Sequence, residues 1–122
     1  MPWVKFDDQY HQSRKLRRAG REAMWVHFTV TVFCARHLTD GYIDPADIEA
    51  IAYDAMLPDK RVREAFSALE AVGALHVLGE GWTVHDYAEF QPSREVVLAQ
   101  RARWRQAKKS GRDARRSGDS ST

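Results

Sequence analysis

The clearest pattern of apolar and polar positions lies between residues 57 and 87, where helical periodicity gives way to alternation. Asp59 is placed to cap a helix, and Gly73 can adopt the positive φ of a helix end. Two short strands, Leu75–Leu78 and Trp82–Tyr87, flank Gly79-Glu80-Gly81 and predict a hairpin. The predicted helix buries one stripe of side chains: Val62, Ala65, Phe66, Leu69 and Val72.

A second helix is predicted just before this segment. Asp44 and Asp47 around Pro45 are typical of a helix start, and Leu57-Pro58 ends the helical pattern. Tyr42-Ile43 predicts a short strand that pairs with the later hairpin. The order helix, turn, helix, hairpin predicts a mainly α fold with a small β-hairpin (α+β), a winged helix-turn-helix. The buried side of the second helix is predicted to be Ile48, Ile51, Ala52 and Ala55.

Residues 21–38 fit two periodicities. Residues 27–33, HFTVTVF, alternate like a strand, and the β-branched residues favour that choice. The longer window contains neither Gly nor Pro and is long for a strand, so a helix is preferred, although the sequence leaves residues 27–33 open. The helical stripe predicted for this window is Met24, Phe28, Val32, Ala35 and Leu38.

Both ends of the chain predict helices of a different kind. Asp7 or Asp8 would cap a first helix over Gln9 to Ala19 that ends at Gly20, and Trp3, Val4 and Phe6 would anchor the start or add a strand. After a linker at residues 90–93, Ser93 would cap a last helix. The predicted organisation is a winged-helix domain at 1–92 that includes the N-terminal basic helix, a basic C-terminal helix at 93–109 and a disordered tail at 110–122.

Charge is distributed unevenly along the chain. The formal net charge is only +2, but residues 94–122 carry nine basic and three acidic side chains, and residues 1–21 carry six basic and two acidic ones. Residues 22–93 have a net charge of −8. This layout predicts that contact with a polyanion would come more from the ends than from the middle.

Residue types that commonly act in catalysis or bind metal form no recognisable motif in this sequence. Cys34 and His37 are half of a zinc pattern with no second half, and if Leu78 pairs with Trp82 then His76 and His85 point to opposite faces of the hairpin. A bulge would change that parity. No phosphate-binding glycine loop or nucleophile motif is present, so the expectation is a protein that is not an enzyme and has no cofactor. The single cysteine and the absence of a long apolar run predict an intracellular protein that does not enter a membrane.

Three short motifs resemble a known group of proteins. CARHLTDGYI, LEAVGAL and GWTVHDYAEFQPSREVV, followed by an Arg-rich helix, are similar to segments of the small winged-helix and replication-initiator-like proteins of actinobacterial phages. The resemblance covers most of residues 3–105. It implies a phage-encoded DNA-binding protein in the cytoplasm of a bacterial host, acting in replication or transcription control. In that group the wing often carries more positive charge than Gly79-Glu80-Gly81 does.

The function predicted from the sequence is sequence-specific or architectural binding of double-stranded DNA. The alternative is an interaction module that docks a replication or transcription protein of the host or phage through Trp82, Tyr87 and the last helix. Dimerisation through Val97 and Trp104 is compatible with both. Residues predicted to approach base edges are Lys60, Arg61, Arg63 and Ser67, and those predicted to contact phosphates are Arg14, Arg17, Arg18, Arg94, Arg101, Arg105 and Lys108.

Overall fold

A computed structural model of the protein describes residues 3–120, and their side chains as far as residue 112. The chain divides into two compact units, Met1–Gln91 and Pro92–Thr122. The helices of the first unit are α1 (Arg14–Ala19), α2 (Arg21–His37), α3 (Ile48–Ala55), α4 (Asp59–Ala71) and α5 (Tyr87–Phe90). Its strands are β1 (Tyr42–Ile43), β2 (Leu75–Leu78) and β3 (Gly81–Val84), and the second unit contains α6 (Arg94–Ser120).

Helix α2 is the centre of the first unit and packs against α1, α3, α4 and β1. The preference for a helix over a strand at residues 27–33 is confirmed, but the predicted stripe is wrong, because Phe28 is 37% exposed. Thr29 and Thr31 are buried because their hydroxyls donate to the carbonyls of Trp25 and His27 within the helix. The stripe that faces the core is Ala23, Val26, Val30, Phe33 and Cys34.

Helices α3 and α4 bury the sides that their periodicity predicts, apart from Val72, which is half-buried just beyond α4. Asp44 accepts from the backbone of Ala46 while Asp47 accepts from the backbone of Asp44, so the predicted helix start is confirmed as a capping box. This box begins a 3₁₀ turn, Pro45–Asp47, that leads directly into α3. The cap predicted at Asp59 is wrong, because Asp59 is the first residue of α4 and makes no capping hydrogen bond. Its carboxylate still lies at the positive end of the helix dipole.

The three strands form one antiparallel sheet in the order β1-β3-β2. Tyr42 and Ile43 pair with β3, as predicted. The hairpin turn has only two central residues, Gly79 and Glu80, because Leu78 pairs with Gly81. Gly79 has a φ of +61°, which a turn with Gly at its first central position requires. The predicted second arm is too long, since β3 ends at Val84 and α5 follows.

The N-terminal segment is anchored to the core without forming a strand at residues 3–6. Phe6 stacks on Phe28 with 4.8 Å between ring centroids, which confirms the anchor rather than the strand. The buried side chain of Gln91 accepts from the backbone N–H of Lys5 and donates to the carbonyl of Lys5. Helix α1 is shorter than predicted and begins after Ser13, whose hydroxyl accepts from the amide of Leu16. The cap predicted at Asp7 or Asp8 is wrong, because the carboxylate of Asp7 accepts from the amide of Gln9, before a 3₁₀ turn at Tyr10–Gln12 that has no side-chain cap.

The second unit is one long helix. Ser93 accepts from the amide of Val96, so the predicted cap is confirmed. The helix continues past Lys109 to Ser120, through most of the segment predicted to be disordered, where Ala and Arg favour helix and the Gly, Ser and Asp residues do not. Residues 121 and 122 lie outside the described part of the chain. The protein is thus mainly helical with a small antiparallel sheet, and the predicted α+β class is confirmed.

Candidate nucleic-acid interface

The outer face of α4 carries a row of exposed polar side chains. Lys60, Arg63 and Ser67 follow one another at steps of three and four, so they lie on one side of the helix, opposite the buried Leu69. The hydroxyl of Ser67 donates to the carbonyl of Arg63 at 3.2 Å and keeps its acceptor lone pairs free. This face presents one ammonium, one guanidinium and one hydroxyl to solvent, which are groups that bind phosphates and base edges.

Arg61 differs from its neighbours because it is held by α2. Its Nε and Nη2 donate to the two carboxylate oxygens of Glu22 at 2.7 and 2.6 Å, a bidentate pair. The guanidinium lowers the pKa of the Glu22 carboxyl, and the carboxylate raises the pKa of Arg61. Of the four α4 residues predicted to approach base edges, Arg61 is therefore the one held in an ion pair with another helix. Its place at the margin of the face was predictable, but its partner, 39 residues away, was not.

Glu70 and Trp82 fix the hairpin against α4. The indole N–H of Trp82 donates to the carboxylate of Glu70 at 2.5 Å, and its ring packs edge-on against Phe66 with centroids 4.9 Å apart. Tyr87 is only 7% exposed. The expectation that Trp82 and Tyr87 form a docking surface is therefore wrong for Tyr87, a core residue, and Trp82 is half-buried in the same packing.

Helix α1 packs against α4 and brings Lys15 alongside it. Lys15 approaches Gly73 at the end of α4, while Ala19 and Lys60 line a shallow groove at the other end. Leu16 anchors α1 in the core. The three side chains of α1 that were predicted to contact phosphates are all exposed: Arg14, Arg17 and Arg18.

In the second unit, α6 presents a basic stripe. The Nζ of Lys108 lies 4.0 Å from the centroid of the Trp104 ring, a cation–π contact with a tryptophan that is 61% exposed. The predicted phosphate-binding residues of this helix are all exposed: Arg94, Arg101, Arg105 and Lys108. They repeat at steps of seven, four and three and so share one side of the helix.

The hairpin brings two histidines together, which the sequence analysis did not expect. Because Leu78 pairs with Gly81 and not with Trp82, His76 and His85 lie on the same face of the hairpin. His76 Nε2 is 2.8 Å from His85 Nδ1, and His85 Nε2 is 3.1 Å from a carboxylate oxygen of Asp86. The three-residue connection expected at Gly79-Glu80-Gly81 places the two histidines on opposite faces. The observed two-residue turn at Gly79 and Glu80 places them on the same face.

The buried titratable groups lie elsewhere. Tyr10 Oη is 2.6 Å from His27 Nδ1, and this pair lines a cavity of about 450 Å³ beneath the N-terminal segment. Burial lowers the pKa of His27 to about 4 and raises the pKa of Tyr10, so both groups are neutral near pH 7. Burial also raises the pKa of the Cys34 thiol to about 11. A protonated thiol in the core is not a nucleophile.

Searches for related proteins give no assignment. No protein-family model, no curated protein and no solved structure matches the chain. Among the described residues, no three or more His, Cys, Asp or Glu side chains converge to hold a metal ion. No helix in that same part of the chain is both long and apolar enough to span a bilayer.

Proposed function

We propose that the protein binds double-stranded DNA as a winged helix-turn-helix, with α4 in the major groove. The chain order α2, β1, α3, α4, β2, β3 and the strand order β1-β3-β2 are those of a winged helix, in which the helix before the hairpin enters the groove. The observation that carries the proposal is the outer face of α4, where Lys60, Arg63 and Ser67 are exposed while the opposite side forms the core. The motif resemblance favours replication or transcription control in a phage.

The distribution of charge assigns different tasks to different elements. The hairpin tip carries Glu80, so phosphate contact by the wing is weak. Arg14, Arg17 and Arg18 are exposed on α1, which packs against α4, and α6 adds a second basic surface. In this proposal α4 provides base contacts, whereas α1 and α6 provide most of the sequence-independent affinity.

The first test replaces Arg63 by alanine. A guanidinium that binds a guanine edge contributes roughly 1 to 3 kcal/mol of discrimination, so Arg63→Ala should weaken binding to a duplex selected from a random library by that amount and hardly affect unselected DNA. Fluorescence anisotropy at fixed salt measures both affinities.

Arg36→Ala is the matched control for this test. It removes the same charge from an exposed site that lies about 20 Å along α2 from Glu22, the partner of Arg61, so it should leave both affinities nearly unchanged. An equal loss from Arg63→Ala on the two duplexes would assign Arg63 to phosphate. No loss on either would contradict the placement of α4 in the groove.

The second test concerns α6. Replacing Arg101, Arg105 and Lys108 together by glutamine retains good helix formers and removes three positive charges. If each contacts a phosphate, the slope of log K against log salt should become shallower by about 2.7, with the same loss of affinity on every duplex. An unchanged slope would show that α6 does not lie on DNA.

Exposed apolar side chains on α6 favour a second candidate function, docking of a replication or transcription protein. Val96, Leu98 and Trp104 are 45%, 40% and 61% exposed, and the half-buried Val97 with Trp104 is the pair predicted to mediate dimerisation. A protein that acts only by docking another protein would show no salt-dependent binding to duplex DNA. The salt titration of the unmodified protein therefore separates the two functions.

A further inference from the structure

We propose that His76 and His85 form a binding site for one divalent transition-metal ion on the hairpin, with Asp86 orienting His85. The site uses the strand register described above, which places the two imidazoles diagonally across β2 and the end of β3. Their ring centroids are 4.9 Å apart, and both side chains are exposed, so an ion can reach them from solvent.

The contacts of the two rings define which nitrogen atoms would bind the ion. A carboxylate only accepts, so in the tautomer assigned by this proposal the proton of His85 is on Nε2, 3.1 Å from Asp86, and His85 Nδ1 is unprotonated toward His76. His76 Nε2 donates to that atom. When the ion enters, the proton of His76 Nε2 moves through solvent to His76 Nδ1, so the ring stays neutral and both facing nitrogens become ligands. A carboxylate beside the far nitrogen of a ligating histidine fixes the tautomer and orientation of the ring and raises its basicity as a ligand.

The distance between the two nitrogens selects the class of metal. Two bonds of about 2.0 to 2.1 Å to atoms that are 2.8 Å apart enclose an angle of about 90°. That is the angle between neighbouring ligands in square-planar or octahedral complexes, which suits Ni²⁺ and Cu²⁺ better than tetrahedral Zn²⁺. Each exposed ring has to turn by about 45° so that its nitrogen points at the ion and not at the other ring. Water or a phosphate oxygen would fill the remaining positions.

A metal ion bound at this site would give the hairpin the positive charge that its side chains do not provide. Residues 75–86 contain Glu80 and Asp86 and no Lys or Arg. A bound divalent ion adds two positive charges, with open coordination positions, to the element that a winged helix lays near the DNA backbone. This second half of the inference rests on the proposed DNA binding, and it predicts that the metal strengthens duplex binding.

Isothermal titration of the full-length, untagged protein with Ni²⁺ tests the site itself. One ion per chain is expected, and His76→Ala or His85→Ala should each abolish the heat of binding. Asp86→Asn should weaken binding about 10- to 100-fold, and asparagine tolerates the positive φ of 59° at this position. His11→Ala is the matched control, since His11 is an exposed histidine that is not part of the hairpin. Mg²⁺, which prefers oxygen ligands, should give no heat.

Two results would overturn the site: unchanged Ni²⁺ binding in both hairpin variants, or equal loss in His11→Ala. The coupling is tested separately by duplex anisotropy with and without Ni²⁺. Tighter binding by the unmodified protein but not by His76→Ala supports it, and an equal response from both overturns it. If no duplex binds under either condition, the proposed DNA function and the coupling both fail, while the calorimetry still decides the metal site.

Discussion

Replacing Phe66 by alanine is expected to lower the free energy of unfolding by about 3 to 5 kcal/mol. Phe66 is 1% exposed and its ring packs edge-on against Trp82, so the substitution removes a large buried side chain and leaves a cavity where α4 meets the hairpin. A loss of this size is a large share of the stability of a small domain. Chemical denaturation followed by tryptophan fluorescence and circular dichroism would measure it.

Phe28→Ala is the control for this prediction. It deletes the same atoms from α2, but Phe28 is 37% exposed, so the expected loss is clearly smaller. Equal losses from the two variants would mean that α4 does not bury its Phe66 side, and the outer face proposed to contact DNA would then be assigned wrongly. Circular dichroism of each variant confirms that the helices remain formed before the stabilities are compared.

Replacing Gly41 by alanine is expected to cost about 2 to 5 kcal/mol, for two separate reasons. Gly41 has a φ of +87°, a left-handed conformation that costs a residue with a Cβ about 1 to 2 kcal/mol. A Cβ there would also lie 2.8 Å from the Cβ and Cγ atoms of Tyr87, and such overpacking costs about 1 to 3 kcal/mol. The midpoint of urea denaturation is the measurement.

Gly79→Ala separates these two causes. Gly79 also has a positive φ, but a Cβ at this position would meet no atom within 4 Å, so only the backbone cost remains. The difference between the two variants therefore measures the contact with Tyr87. If Gly41→Ala and Gly79→Ala are equally stable, Tyr87 does not pack against the turn before β1.

Features that depend on local sequence were predictable, and features that depend on tertiary packing were not. The buried sides of α3 and α4 were predictable because their core positions are unambiguously apolar and their other faces are charged. The orientation of α2 was not, because apolar residues surround most of the helix and two threonines enter the core by donating to its own backbone. Periodicity alone counts those threonines as polar, so the predicted buried stripe falls on the side of the helix that carries Phe28.

For the candidate site, the sequence predicted which side chains are exposed, but not which side chains contact one another. Lys60, Arg63 and Ser67 are exposed because they lie opposite an apolar stripe that the sequence displays. The engagement of Arg61 by Glu22 depends on how α4 packs against α2, which no local pattern encodes. The contact between His76 and His85 depends on the length of one turn, since a shift of one residue in register reverses the face of every side chain.

The contact between Gln91 and Lys5 has a topological consequence. These residues are separated by 86 positions, yet the side chain of Gln91 forms hydrogen bonds with the backbone N–H and C=O of Lys5. The first unit is consequently a nearly closed ring of chain, entered and left at one point on its surface. Domains with adjacent ends tolerate circular permutation and insertion into the loops of other proteins, because neither operation requires the chain to stretch across the fold. A permutant that joins the two ends and opens the chain at the exposed hairpin turn would keep every helix of this unit continuous.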